Sequence, residues 1–237
     1  MKISGIVLIA GNSTRYKKNY NKNFENLENK KIFEYSVDAF NLNNQINDII
    51  LVVKKEEFKV VQQIIDNKKI SKPLKLVIGG NSRNESVYNA LNETNSDIVI
   101  IQDGARPLIK QSFINNCINT ILSDNIYGVS TAVKSKDTIK VTDINNIVVS
   151  STNRDSSWLV QTPQCFNRDV LINSYKNIEN FKTITDDCAI LEKNNYKVKL
   201  IPGDYTNIKI TTPEDILIAS AFMQSTFLLN KIESGRM

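Results

Sequence analysis

Residues 3–10, Ile3-Ser4-Gly5-Ile6-Val7-Leu8-Ile9-Ala10, pass directly into the small-residue turn Gly11-Asn12-Ser13-Thr14-Arg15. A nearly unbroken apolar run of strand length reads as a strand buried on both faces. Working outward, strand-length runs recur at residues 48–53, 74–78, 97–102 and 128–133, and include Ile98-Val99-Ile100-Ile101. Between them the spacing predicts helices over 32–40, 57–65, 83–91 and 111–122. The last places Phe113, Ile114, Cys117, Ile118, Ile121 and Leu122 at intervals of three to four. Strands alternating with helices predict an α/β fold around a mainly parallel sheet.

The alternation stops after Val133. Two short strand patterns, 137–140 and 147–150, flank Thr142-Asp143-Ile144-Asn145-Asn146 and predict a hairpin or protruding arm over 134–151. Helical patterns then return at 170–175 and 186–191, with a strand at 196–201. Pro213 suits the first turn of a helix over 213–222, with Thr212 as N-cap. Residues 223–237 read as a weakly patterned tail. With no linker or repeat in sight, one domain over 1–237 carrying the arm is expected.

At 237 residues, with 41% hydrophobic and 23% charged, the chain has the make-up of a globular domain with one substantial core. No apolar run approaches the roughly 20 residues of a membrane helix. The first strand follows Met1 and Lys2 directly, leaving no room for a secretory signal. Three scattered cysteines fit a reducing compartment rather than a disulfide framework. A cytoplasmic location, with no membrane and no nucleic-acid partner, is therefore expected. The chain contains no histidine, which excludes a Ser-His-Asp triad and any histidine base or ligand. A formal net charge of +5 reads first as a lysine- and asparagine-rich solvated surface, with attraction of an anionic substrate as the alternative.

Four sets of residues could carry chemistry. In a doubly wound sheet, ligands bind beyond the carboxyl ends of the strands. The turn Ala10-Gly11-Asn12-Ser13-Thr14-Arg15 lies at such an end, where backbone N–H groups can approach phosphate. Arg15 and Lys22 could neutralise it. The segment Gly79-Gly80-Asn81-Ser82-Arg83 opens another strand-to-helix passage. It suits close backbone approach to a ligand, or simply an Asn81 or Ser82 helix cap. Asp103 in Gln102-Asp103-Gly104-Ala105-Arg106-Pro107 could meet magnesium or a ligand hydroxyl, or could only shape a turn. In the second half, Thr138, Arg154, Thr162, Thr185 and Lys209 are groups of the kind that hold a phosphomonoester. Asp186 and Asp187 read as a helix cap or a metal pair.

The ordered series IAGNSTR, NKN, GGNSRNESV, QDGARP, KDTIK, TNRDSSW, QTPQCF, TDDCAILE and NIKITTPEDI closely resembles the 2-C-methyl-D-erythritol 4-phosphate cytidylyltransferase family. The sister family, ribitol-5-phosphate cytidylyltransferase, shares most of the plan. DGARP, TDD with Glu192, and TPED look more like the methylerythritol enzyme. The resemblance implies a Rossmann-like nucleotidyltransferase fold with a β-arm that exchanges contacts across a homodimer. It implies CTP, a polyol phosphate and Mg2+ as reactants and cofactor, in isoprenoid precursor synthesis. Carried over, Arg15, Lys22 and Lys209 contact the reacting phosphates. Ala10, Gly11, Gly80, Asn81 and Ser86 surround CTP, and Asp103 sits at the magnesium. Thr138 and Arg154 hold the acceptor across the dimer, Thr162 and Thr185 line its pocket, and Arg106 orients the loop. The family loop usually has Gly where this chain has Ser13, and flanks its Lys with Pro and Gln rather than Asn21 and Asn23. Asn81 and Thr206 stand where acidic residues are common, and Gln102 where His is frequent. The altered loop leaves a CTP-binding pseudoenzyme as one alternative. A dehydrogenase is another, opposed by the absence of G-x-G-x-x-G.

Overall fold

The computed structural model describes residues 1–11, 13, 16, 20–181 and 184–233, with side-chain surroundings as far as 225. Its centre is a seven-stranded sheet of order β11-β7-β10-β6-β1-β4-β5. The chain enters through β1 (Ile3–Leu8). It passes β2 (Asn26–Leu27), β3 (Lys30–Lys31) and α1 (Ile32–Leu42) to reach β4 (Asp48–Val53). It crosses by α2 (Phe58–Asp66) to β5 (Leu74–Ile78), then returns through α3 (Arg83–Asn92) to β6 (Ile98–Asp103) beside β1. Strand order therefore switches at β1, and its carboxyl end and that of β6 lie level, Leu8 opposite Asp103. Such a switch opens a crevice where ligands bind.

The second half adds α4 (Gln111–Ser123), β7 (Gly128–Lys134) and the hairpin β8 (Lys140–Thr142) with β9 (Val148–Ser151). After it come β10 (Trp158–Asn167), α5 (Arg168–Lys176), α6 (Asp187–Lys193), β11 (Val198–Pro202) and α7 (Glu214–Glu233). Within the main sheet β10 runs antiparallel to both β6 and β7, and the other pairings are parallel.

Helices cover both faces. Ile49, Leu51 and Val53 of β4 pack with Phe33 and Phe40 of α1, Val61 of α2 and Ile114 of α4. Ile50 and Val52, on the opposite face, join Val87 and Leu91 of α3, Leu171 of α5 and Leu191 of α6. Burial on both faces is why these strands read as continuous apolar runs.

Three expectations need correction. The hairpin strands begin later than 137 and 147, because the turn is built by Asp143. Its backbone N–H donates to Ile147 O at 3.0 Å, and its Oδ1 accepts from Asn145 N and Ile147 N, each at 2.9 Å. Of the expected tail over 223–237, residues 223–233 instead continue α7, and the rest lies outside the described residues. Finally, β10 was not anticipated: Pro163, which ends ladder pairing locally, sits inside it, and its register with β7 shifts between Val160 and Gln164.

Candidate active site

A cavity of about 630 Å³ opens beyond the carboxyl ends of β1, β4, β5 and β6. Of the residues singled out from sequence, Ala10, Gly11, Lys22, Gly80, Asn81, Ser86, Asp103 and Lys209 all line it. Arg15 lies outside the described residues. Among the described residues the lining includes Lys22, Lys54, Lys55, Arg83 and Lys209 against Glu56 and Asp103, an electropositive balance. Low-dielectric walls focus such a field on an anion.

Asp103 ends β6 at the floor. Its Oδ2 lies 2.6 Å from Lys209 Nζ, and its Oδ1 is 3.5 Å from Arg83 Nε. Burial alone would raise its carboxyl, but Lys209, then Arg83 and Arg106, outweigh that and hold it far below the ordinary carboxylate range. It is therefore an anion at any physiological pH. Its backbone N–H donates to Thr162 Oγ1 at 3.1 Å. Thr162 thus braces the end of β6 and is not among the residues lining the cavity.

Lys209 is delivered by a pinned segment. Ile210 N donates to Ala105 O at 2.8 Å, and Asn207 Nδ2 to Thr162 O at 2.9 Å. Arg106 Nη1 donates to Asn207 O at 2.7 Å, the orienting role expected of it. Downstream, Asp215 Oδ2 accepts from Thr211 N at 2.7 Å and Thr212 N at 2.8 Å. Both ends of the lysine-bearing strip are fixed before any ligand arrives.

On the opposite wall, Gly79 follows β5 so closely against β1 that an added Cβ would stand 2.6 Å from Ala10 Cβ. Ser82 caps α3, its side chain accepting from Glu85 N at 3.1 Å. The Ser86 hydroxyl accepts from Gly80 N at 3.1 Å and donates to Ser82 O at 2.9 Å. Ser86 therefore shapes the glycine loop from within, while Asn81 stands exposed above it.

Arg83 links this wall to α6. Its Nη1 lies 2.8 Å from Oδ2 of Asp187, which is fully buried and accepts from Tyr175 Oη at 2.6 Å. Burial and then Asp187 push the Tyr175 phenol well above its usual value, so it remains a donor. Asp186 caps α6 through Ala189 N at 3.1 Å. The acidic pair is thus one cap and one buried counter-ion, and neither lines the cavity.

The remaining candidates are not gathered here. Thr138 and Arg154 are exposed near the base of the hairpin, and Thr185 is exposed before α6. Sequence reasoning missed Lys54, Lys55 and Glu56 as lining residues. The one available signal was their place just after a parallel strand, but Lys54-Lys55-Glu56-Glu57 reads as a solvated charge run.

Among the described residues no cluster of three or more His, Cys, Asp or Glu could hold a metal by itself. The carboxylates among the described lining residues are Asp103 and Glu56. A divalent cation such as magnesium, which takes one or two carboxylates with phosphate oxygens and water, could use Asp103 in exchange for its contact with Lys209. No helix among the described residues is long and apolar enough to cross a membrane.

The sequence model of the family 2-C-methyl-D-erythritol 4-phosphate cytidylyltransferase matches residues 3–225. A protein of that name from Caldanaerobacter subterraneus subsp. tengcongensis is 38% identical, over 94% of this chain and 100% of its own length. One from Lachnoclostridium phytofermentans is 40% identical, over 94% and 97%. Among solved structures, a 4-diphosphocytidyl-2C-methyl-D-erythritol synthase from Anaerococcus prevotii superposes with a TM-score of 0.81 at 31% identity, covering 94% of this chain and 98% of that one.

Proposed function

The chain belongs to the 2-C-methyl-D-erythritol 4-phosphate cytidylyltransferase family, and from that premise we infer that it transfers the cytidylyl group of CTP to that sugar-alcohol phosphate. The observation that carries the reading is the convergence of Lys22, Lys209 and Asp103 on one electropositive cavity at the switch in strand order. An oxygen of the acceptor's phosphate forms a bond to the α-phosphorus of CTP. The bond from that phosphorus to the oxygen bridging toward the β-phosphorus breaks, and pyrophosphate leaves with the electron pair.

The nucleophile is already an anion at neutral pH, so no strong base is required and the absence of histidine costs nothing. The barrier lies in bringing two anions together and in the charge that spreads at transfer. Positioning and fixed positive charge lower it. Lys22 and Lys209 supply that charge from the cavity lining, with Arg15 completing the set. Ala10, Gly11, Gly80, Asn81 and Ser86 form the nucleotide's bed. Asp103 would hold a magnesium ion, which when bound neutralises phosphate oxygens. Thr138 and Arg154, with Thr185, serve the acceptor. The hairpin reaches a second copy of the chain, supported by Ile144 at 96% exposure beside exposed Ile147 and Val149. The buried free cysteines Cys117, Cys165 and Cys188 suit a reducing cytoplasm.

The test is pyrophosphate release from CTP with 2-C-methyl-D-erythritol 4-phosphate, ribitol 5-phosphate and other polyol phosphates offered separately. Preference for the methylerythritol acceptor supports the reading. Preference for ribitol 5-phosphate moves the chain to the sister activity, and CTP binding without release identifies a nucleotide-binding module instead.

A further inference from the structure

The turn that carries Lys22 is held by side chains to which no role has been given so far. Ser13 has φ of 52°, in the left-handed region that side chains other than glycine's seldom adopt. A non-glycine residue persists there only when its surroundings over-determine it, and here its hydroxyl is engaged twice. Ser13 Oγ accepts from Lys22 N at 3.1 Å and donates to Asn21 Oδ1 at 3.3 Å.

Asn21 is the knot of the arrangement. It is 4% exposed, and both ends of its amide are used. Oδ1 also accepts from Asn23 N at 3.1 Å and Asn23 Nδ2 at 3.0 Å. Nδ2 donates to Ile9 O at 2.6 Å and to Glu57 Oε2 at 3.0 Å. Ile9 lies just past the end of β1, and Glu57 closes the short helical turn Lys55–Glu57 after β4. One side chain thus ties three pieces of the cavity's edge: the β1 end, the Lys22 turn, and the turn that brings Lys54 and Lys55 to the wall.

A buried amide with all these bonds specifies one geometry, because losing any partner leaves a buried polar atom unsatisfied. Lys22 is itself only 9% exposed, so the backbone at this turn decides where its ammonium can go. We propose that Ser13, Asn21 and Glu57 are positioning residues that fix the Lys22 turn and so pre-aim its ammonium at the nucleotide's phosphates. They do for this turn what a rigid backbone would otherwise do. Glu57 is the outer strut, its carboxylate taking an N–H that would otherwise be stranded.

The inference rests on the cytidylyl-transfer reading for the role of Lys22, and the experiment separates the two. Backbone amide exchange at Lys22 and Asn23 needs no substrate. It should be slow in the wild type, and faster by about tenfold or more in Asn21→Ala and Ser13→Ala, since each loses a bonded acceptor. Unchanged exchange in both variants overturns the network, whatever the enzyme does with CTP.

Pyrophosphate release then tests the coupling to Lys22. Asn21→Ala should lower kcat/KM for CTP by about 10-fold to 100-fold in the wild-type background, and by less than about twofold when added to Lys22→Ala, because residues that act as a unit are non-additive. A full multiplicative loss in the second background makes Asn21 a general structural residue and overturns the proposal. Glu57→Gln keeps an acceptor oxygen and should stay within about threefold of wild type, while Glu57→Ala falls with Asn21→Ala. Equal losses in the two Glu57 variants overturn the strut. Ser13→Gly should be milder than Ser13→Ala, since only alanine keeps the left-handed penalty; the reverse order removes Ser13 from the scheme.

Discussion

The cavity walls and the hairpin are built to opposite specifications. Around the cavity the buried charges are paired within the same chain: Asp103 with Lys209 and Arg83, and Arg83 with Asp187, while Asn207 donates to Thr162 O. The hairpin carries exposed Val141, Ile144, Ile147, Val148 and Val149, and beside it Arg154 stands in solvent. A lone two-stranded hairpin is marginal in water, and these apolar side chains are aligned to meet something. The comparison teaches where each half of the reaction is organised. On the function proposed above, the cavity assigned to the nucleotide is lined by one chain alone. On the same reading, the acceptor's side would be completed by a second surface, and two-fold pairing of identical chains is the commonest way to provide one.

The sharpest break in that comparison comes from Lys209. Lys209→Ala removes a charge fixed at both ends of its segment, so turnover should fall by about 100-fold to 1000-fold, the usual cost of losing a preorganised donor at developing charge. Arg83 remains beside Asp103, so circular dichroism should report an intact fold. Pyrophosphate release within about threefold of wild type would show that the lysine is no more than the counter-ion of Asp103.

Arg154→Ala should act on the other half alone. A charged hydrogen bond to phosphate contributes roughly 1.5–3 kcal/mol, so the acceptor's KM should rise by about 10-fold to 100-fold while that for CTP stays level. Steady-state kinetics with each substrate varied reads the split. A raised KM for CTP would place Arg154 on the wrong side of the comparison.

Charging the hairpin tests whether its exposed face is the missing surface. Ile144→Asp with Ile147→Asp should convert a dimer to a monomer by light scattering and cut activity about tenfold at assay concentration, with folding stability nearly unchanged, as for exposed sites generally. A fully active monomeric variant would return the acceptor site to a single chain.

How far these halves could be read from sequence follows from the same contrast. The boundaries of β4 are given by its apolar run, because a strand buried on both faces leaves no polar interruption. β10 is equally central, yet Gln161, Pro163 and Gln164 break its run. Gln161 Nε2 donates to Asp204 O and Gln164 Nε2 to Asp186, tying neighbouring loops to the sheet. The polar residues that make these ties masked the strand that carries them. Asp187 gave no sign of its depth, because its partners Arg83 and Tyr175 lie far away in sequence. Lys22, Asp103 and Lys209 were legible through motif order, whereas the knot at Asn21 depends on Ile9 and Glu57, whose proximity only the folded sheet supplies.

The smallest expected effect concerns stability and separates the halves once more. Asp215 anchors the segment leading from Lys209 by accepting from Thr211 N, Thr212 N and Thr211 Oγ1. Asp143 makes a similar double acceptance inside the hairpin turn. Asp215→Ala should cost about 1 kcal/mol, as removal of such helix-start acceptors does, and lower the melting midpoint by about 2–4 °C. At dilute protein Asp143→Ala should stay within about 0.5 kcal/mol, because little is packed upon that turn. Acid provides an internal check. Burial raises the Asp215 carboxyl, but the Thr212 and Thr211 N–H groups outweigh this and hold it below its ordinary value. A depressed carboxylate contributes in full above the unfolded value of about 4 and loses its contribution as pH falls through the folded one. The gap between wild type and Asp215→Ala should therefore be constant near neutrality and shrink below about pH 4. Calorimetry across that range reads it, and a gap that persists undiminished into acid would mean that Asp215 holds the segment by packing rather than as a charged acceptor.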